Sequence, residues 1–100
     1  MEKSKAHYSL PEVQSIVARQ GSRAFTFTAQ RGAENMGLSR AEALGVVFSL
    51  TSSMLYKSMT THSDSTIWQD VNHAPCPNGK IAYIKLTVQA GAVVIQFKEK

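Results

Sequence analysis

Tyr83 and Lys98 lie fifteen residues apart on two C-terminal apolar runs joined by a short turn around Gly91. In the first run Ala82, Ile84, Leu86 and Val88 alternate with Ile81, Tyr83, Lys85 and Thr87. In the second, Val93, Ile95 and Phe97 alternate with Val94, Gln96 and Lys98. Successive side chains of a strand point to opposite faces, so Tyr83, Lys85, Gln96 and Lys98 share the polar face of such a hairpin. A two- or four-residue loop about Ala90-Gly91 sets Gln89 against Ala92, hence Lys85 against Gln96 and Tyr83 against Lys98. A three-residue loop would slip the register by one and break the pairing of faces. A phenol opposite an ammonium marks a site rather than a core. The alternative is the solvated side of a sheet, where such residues are common.

The elements that must hold this pair read as helices first and strands afterwards. Ser9-Leu10-Pro11-Glu12 has the form of a capping box, followed by Leu10, Val13, Ile16 and Val17 at helical spacing and by Gly21 as a stop. Proline is tolerated in that first turn, where its missing N–H is not needed. Phe25–Thr28 alternates as a short edge strand would, and Ala29–Met36 reads as a weak helix ended by Gly37. Ser39-Arg40-Ala41-Glu42 is a second capping box stapled by Leu38, with Ala43, Leu44, Val47 and Phe48 as an apolar stripe for the core. The period then falls to two, predicting strands at Met54–Thr61, Thr66–Asn72, Lys80–Gln89 and Val93–Lys98. Short links between them predict an antiparallel meander. The whole is an α+β fold, with N-terminal helices packed on one face of the C-terminal sheet.

A length of 100 residues predicts one domain, 1–100, with a modest core, and 43% hydrophobic residues exclude a disordered chain. No apolar run reaches the roughly 20 residues that cross a bilayer. Met1-Glu2-Lys3-Ser4-Lys5 leads into no apolar export segment, and one cysteine, Cys76, forms no internal disulfide. These features predict a cytoplasmic protein without membrane contact. A net charge of +4, carried by scattered bases, leans toward a polyanionic partner and equally fits a plain basic domain.

Longer blocks are more specific. Tyr56-Lys57-Ser58-Met59-Thr60-Thr61, Ser63-Asp64 and Thr66-Ile67-Trp68-Gln69-Asp70-Val71 closely resemble the MqsR family of mRNA interferase toxins. The likeness continues through Tyr83, Lys85, Thr87-Val88 and Phe97-Lys98-Glu99-Lys100, and at the start through Met1-Glu2-Lys3 and His7. Between Ser22 and Ser53 only the pattern of elements agrees, and the loop His73–Gly79 has no match. The resemblance implies a RelE-like α+β ribonuclease of a type II toxin–antitoxin pair, cutting messenger RNA and silenced by a cognate, zinc-containing antitoxin of the MqsA type. That antitoxin represses the shared operon, so DNA contact is expected only through it. Carried over by motif, the family's functional residues fall on Lys57, Gln69, Tyr83 and Lys98, with no cofactor implied.

Those residue types suit metal-free RNA cleavage, in which the 2′-hydroxyl attacks the adjacent phosphorus and leaves a cyclic phosphate and a 5′-hydroxyl. The reaction needs a base, an acid and positive charge on the phosphorane. Lys57 and Lys98 supply charge, Gln69 donates an amide hydrogen bond, and Tyr83 serves as acid, base or phosphate clamp. Lysine and tyrosine are poor bases at neutral pH, since both titrate near about pH 10. Two ammoniums held close would lower the pKa of one and that of Tyr83, so Lys57 and Lys98 are expected to tune each other.

Other residues have two readings each. Tyr56 and Trp68 could stack on unpaired bases, although Trp68 reads first as core, and Lys85 shares the face of Tyr83. His62 reads first as turn chemistry and second as an RNA contact, while His7 and His73 read as solvated surface. Phe25, Phe27, Phe48 and Phe97 are expected in the core. His62, Asp64, Asp70 and His73 are ligand types for a metal, but no metal-site spacing supports them. Asp64 reads better as a turn residue, Asp70 as a strand-end partner for a lysine, and Cys76 as an unactivated thiol. The reading from another class is a non-catalytic basic module that binds RNA or protein through the same lysines.

Overall fold

The computed structural model describes residues 1–100. Strand β1 (Glu2–Lys3) comes first, then helices α1 (Leu10–Gln20), α2 (Phe27–Asn35) and α3 (Arg40–Phe48). Strands β2 (Leu55–Thr60), β3 (Trp68–Pro75), β4 (Ile81–Gln89) and β5 (Ala92–Glu99) follow. All five strands form one antiparallel sheet in the order β1-β2-β3-β4-β5, with the helices on one face, so the α+β meander stands as the sequence predicts.

Local chemistry starts the helices. Ser9 accepts the Glu12 N–H at the head of α1, Pro11 fills its first turn, and Gly21, at φ 63°, ends it. Glu12 does not reach back, so Ser9 forms a single cap; at α3 the box of Ser39 and Glu42 is complete in both directions. The Thr26 hydroxyl accepts the Ala29 N–H at 3.0 Å, so α2 begins at Phe27. This cap overrides the alternation at 25–28 that suggested an edge strand. Only one bridge, Phe25 to Ile95, remains of it.

Twenty buried residues form the core between the helices and one sheet face. Phe25 and Phe97 belong to it, with ring centres 5.6 Å apart, but Phe27 is 73% exposed and Phe48 45%. The expected core roles of those two are therefore wrong. For Phe27 the cause lies in how closely α2 approaches the β5 edge. A methyl on Gly32 would stand 2.0 Å from the Phe97 carbonyl oxygen, and Ala29 and Ala33 complete a narrow buried stripe. Only small residues fit there, so Phe27 is turned outward.

Asp70 is the second correction. It lies inside β3 at 4% exposure, not at a strand end beside a lysine. Its carboxylate accepts the His7 N–H at 2.9 Å, the Tyr8 N–H at 3.0 Å and the Ser58 hydroxyl at 2.6 Å. The segment before α1 is thereby fastened across the helix side of the sheet. There Lys3 lies 4.2 Å from the Trp68 ring, His7 stacks on that ring at 5.1 Å, and the Tyr8 hydroxyl donates to the Trp68 carbonyl. Trp68 is covered by this segment and lies outside the main core cluster.

Two outcomes test these contacts. Gly32→Ala forfeits the helix propensity it should gain and destabilises the protein by about 3 kcal/mol in urea denaturation, because backbone must move. Asp70→Asn replaces an acceptor of three hydrogen bonds by a group that also donates, and costs about 2–3 kcal/mol. Trp68 is the only tryptophan, so its emission should shift to the red as the segment loosens; an unchanged spectrum and midpoint would contradict this role for Asp70.

Candidate active site

The sheet face turned away from the helices is built by strand register. His73 stands opposite Tyr83, and Tyr83 opposite Lys98, in one row across β3, β4 and β5. The next row runs Lys57, Val71, Lys85, Gln96 across β2 to β5. Gln69 pairs with Met59 one row further on. The expected pairings Tyr83–Lys98 and Lys85–Gln96 are both present. The turn that sets them places Ala90 and Gly91 at φ 51° and 76°, the two positive values a two-residue hairpin turn needs.

Tyr56 joins the first row through an irregularity. The β2–β3 register shifts between Leu55 and Lys57, leaving Tyr56 as an extra residue in the strand. Such a bulge re-aims side chains. Strict alternation would send Tyr56 and Lys57 to opposite faces, yet both serve this one: the Tyr56 ring stacks on His73 with centres 4.5 Å apart, and His73 lies 5.5 Å from the Tyr83 ring. Lys98 and Lys85 approach Tyr83 at 5.3 and 5.8 Å, and Lys57 approaches Tyr56 at 5.6 Å. The result is a strip of three rings flanked by three ammoniums.

His73 is the residue that sequence reasoning missed. The sequence pattern places it in a surface loop, but β3 continues to Pro75 and carries it onto the face. The parity of Gln69, Val71 and His73 was the available signal, usable only once the strand is known to pass Asn72. Burial, and secondarily the Lys100 charge, hold the imidazole below its ordinary pKa, so it is neutral at pH 7.

The other sites divide. Gln69 is on the face but only 9% exposed, and Val71 is fully buried, so these two form its floor. Lys57 donates to the Glu2 carboxylate of β1 at 2.5 Å. That hydrogen bond holds its ammonium above the usual lysine value, opposite to the lowering expected from Lys98. The backbones of β2 and β5 are three strand spacings apart, about 14 Å, too far for close mutual tuning. His62 is exposed in the β2–β3 turn. Asp64, whose carboxyl is held low by hydrogen bonds from Thr66, is the turn residue it was read to be. Trp68 belongs to the opposite face and is absent from the ring strip. Cys76 is buried, which raises its thiol pKa.

A family model described as "Motility quorum-sensing regulator, toxin of MqsA" matches residues 5–99. The mRNA interferase toxin MqsR of Escherichia coli (strain K12) is 39% identical over 100 residues, covering 100% of both chains.

The Lys57–Glu2 pair gives a direct check. In Glu2→Gln the Lys57 pKa should fall toward its ordinary value, followed by NMR titration of the lysine side chains. A raised lysine pKa favours folding below the unfolded value, about 10.4, and the benefit is lost as pH rises through the folded one. Stability near pH 7 should change little, because exposed ion pairs contribute little.

Proposed function

The chain belongs to the MqsR toxin family and is an mRNA interferase of a toxin–antitoxin pair, and we propose that it cuts RNA on the open sheet face without a metal. The observation that carries this reading is the row His73–Tyr83–Lys98 with Tyr56 stacked on its end. It brings a neutral imidazole, a phenol and an ammonium into line. The imidazole supplies what lysine and tyrosine lack, a group able to accept a proton at neutral pH.

In the proposed reaction neutral His73 takes the proton of the 2′-hydroxyl. The 2′-oxygen forms its bond to phosphorus, the bond from phosphorus to O5′ breaks, and the Tyr83 phenol gives its proton to O5′. His73 and Tyr83 return to their resting forms by proton exchange with water. Lys98, assisted by Lys85, offsets the charge on the phosphorane, and Lys57 holds a neighbouring phosphate in place of Glu2. Gln69 acts from the floor by orienting the substrate, and Tyr56 stacks on an unpaired base. The cations stand where a metal would otherwise neutralise charge, which supports a metal-independent reaction.

The same reading takes residues 1–100 as one domain of RelE-like type, working in the cytoplasm where messenger RNA is met. A cognate antitoxin, zinc-containing in the resemblance, silences it. The non-catalytic alternative gains nothing from the structure, since phosphate binding alone does not call for a neutral histidine beside a phenol.

Purified protein should cleave a defined messenger RNA in EDTA, leaving 2′,3′-cyclic phosphate ends. His73→Gln, Tyr83→Phe and Lys98→Met should each lower the single-turnover rate by about 10²-fold or more. Activity should rise with pH as His73 loses its proton, with a midpoint below about 6.5. Lys100→Gln should move that midpoint upward, and His73→Gln should abolish it. RNA left intact by the wild type at every pH would falsify the enzyme reading; an acid limb surviving in His73→Gln removes His73 as base.

A further inference from the structure

The open sheet face does not end at β5. Helix α2 rises beside that edge and encloses, with β4 and β5, a groove of about 700 Å³. Its floor is Tyr83, Lys85, Gln96 and Lys98, and its wall is the outer stripe of α2, including Phe27 and Arg31. The groove therefore shares its floor with the row described above and adds a wall outside it. No carboxylate lines it.

Three features of the wall point to a ligand. Phe27, at 73%, is among the most exposed large apolar side chains, and its ring borders a groove rather than open surface. Arg31 follows one helical turn later, with its guanidinium carbon 5.8 Å from the Phe27 ring centre. Arg31 forms no ion pair and donates no side-chain hydrogen bond, so its planar fork is free. A ring for stacking beside a free guanidinium, in a groove lined by Arg31, Lys85 and Lys98 and lacking acid, is complementary to one nucleotide of a single strand.

We propose that the groove between α2 and β5 is a substrate subsite, in which Phe27 stacks on the base and Arg31 binds the phosphate of a nucleotide flanking the scissile bond. The proposal rests on the ribonuclease reading for the identity of the strand. Its chemistry follows from position: a chain lying over Tyr83 and Lys98 and continuing past β5 must meet this wall next. Phe27 and Arg31 are binding residues and touch no reacting atom. They act on substrate affinity, with the chemical step untouched.

The test uses the full-length protein and a defined RNA fragment spanning a mapped cleavage site, shortened one nucleotide at a time from either end. Two quantities are read for wild type, Phe27→Ala and Arg31→Gln. One is kcat/KM for cleavage; the other is the Kd of the same fragments carrying a 2′-deoxy scissile nucleotide, which cannot be cut. For wild type, removal of the one nucleotide that fills the groove should weaken binding about tenfold, with kcat nearly unchanged. Each variant should bind the long fragment about tenfold more weakly and lose its sensitivity to that removal. Both side chains are exposed, so unchanged melting temperatures are expected. Variants that bind and cut the long fragment like wild type, or that still respond to trimming as it does, overturn the subsite. So does a variant effect confined to binding of a protein antitoxin. If wild type binds the fragments but cuts none, the ribonuclease reading fails, while the dependence of Kd on Phe27 and Arg31 still decides the groove.

Discussion

The open face of the sheet is held from its opposite side by the Asp70 carboxylate. With one oxygen on the His7 amide and the Ser58 hydroxyl, and the other on the Tyr8 amide, it ties the start of the chain to β2 and β3 at once. Hydrogen bonds from two backbone amides and a hydroxyl satisfy a buried charge that would otherwise be expensive. Because His7 and Tyr8 are fixed, the residues before them are led along the edge of β2, where Glu2 pairs with Met59 and Lys3 with Ser58. That pairing delivers Lys3 to Trp68 on one face and Glu2 to Lys57 on the other. A contact spanning more than sixty residues of chain thus sets the electrostatic state of a lysine it never touches.

Two geometric devices then assemble the site. The tight turn at Ala90-Gly91 fixes which residues of β4 and β5 face one another, and a slip of one would send Tyr83 and Lys98 to opposite faces. The bulge at Tyr56 does the reverse: it breaks alternation, so that adjacent residues of β2 both serve one face. Regular pairing brings the phenol to its flanking ammoniums, and irregular pairing supplies the ring that stacks on the imidazole.

How much of this was legible follows from the range of the forces involved. The capping box at Ser39, the meander and the Tyr83–Lys98 register follow from short-range patterns and can be read from the chain, whereas the Thr26 cap was hidden under an alternation that reads as a strand. The two-residue β1 has no periodicity of its own, since its place is given by Asp70 and β2. His73 was hidden because the end of β3 is set by its pairing with β4 as far as Pro75–Ile81, not by the residues near it. Phe27 was misplaced because composition assigns phenylalanine to the core. The narrow seam between Gly32 and the Phe97 carbonyl is a tertiary fact that no local pattern contains. Lys57, Tyr83 and Lys98 were found through motif and parity. His73, the base under the proposed function, was not.

The distribution of charge shows how such a face can be carried by so few residues. Lys57, Lys85 and Lys98 are spread along three strands of a face whose carboxylate partner is Glu2, at the outer edge. Lys85 and Lys98 flank the one Tyr83 ring from β4 and β5 while Lys57 stands apart on β2, so positive charge extends along the face. Glu2 occupies Lys57 in the free protein, and since Glu2 is largely solvated and Lys57 half-buried, exchanging that carboxylate for a phosphate oxygen leaves no charge buried and unpaired. Under the proposed function, the face is therefore ready for a polyanion without buried unpaired charge, and His73 lies within it with its proton affinity lowered first by burial and then by Lys100.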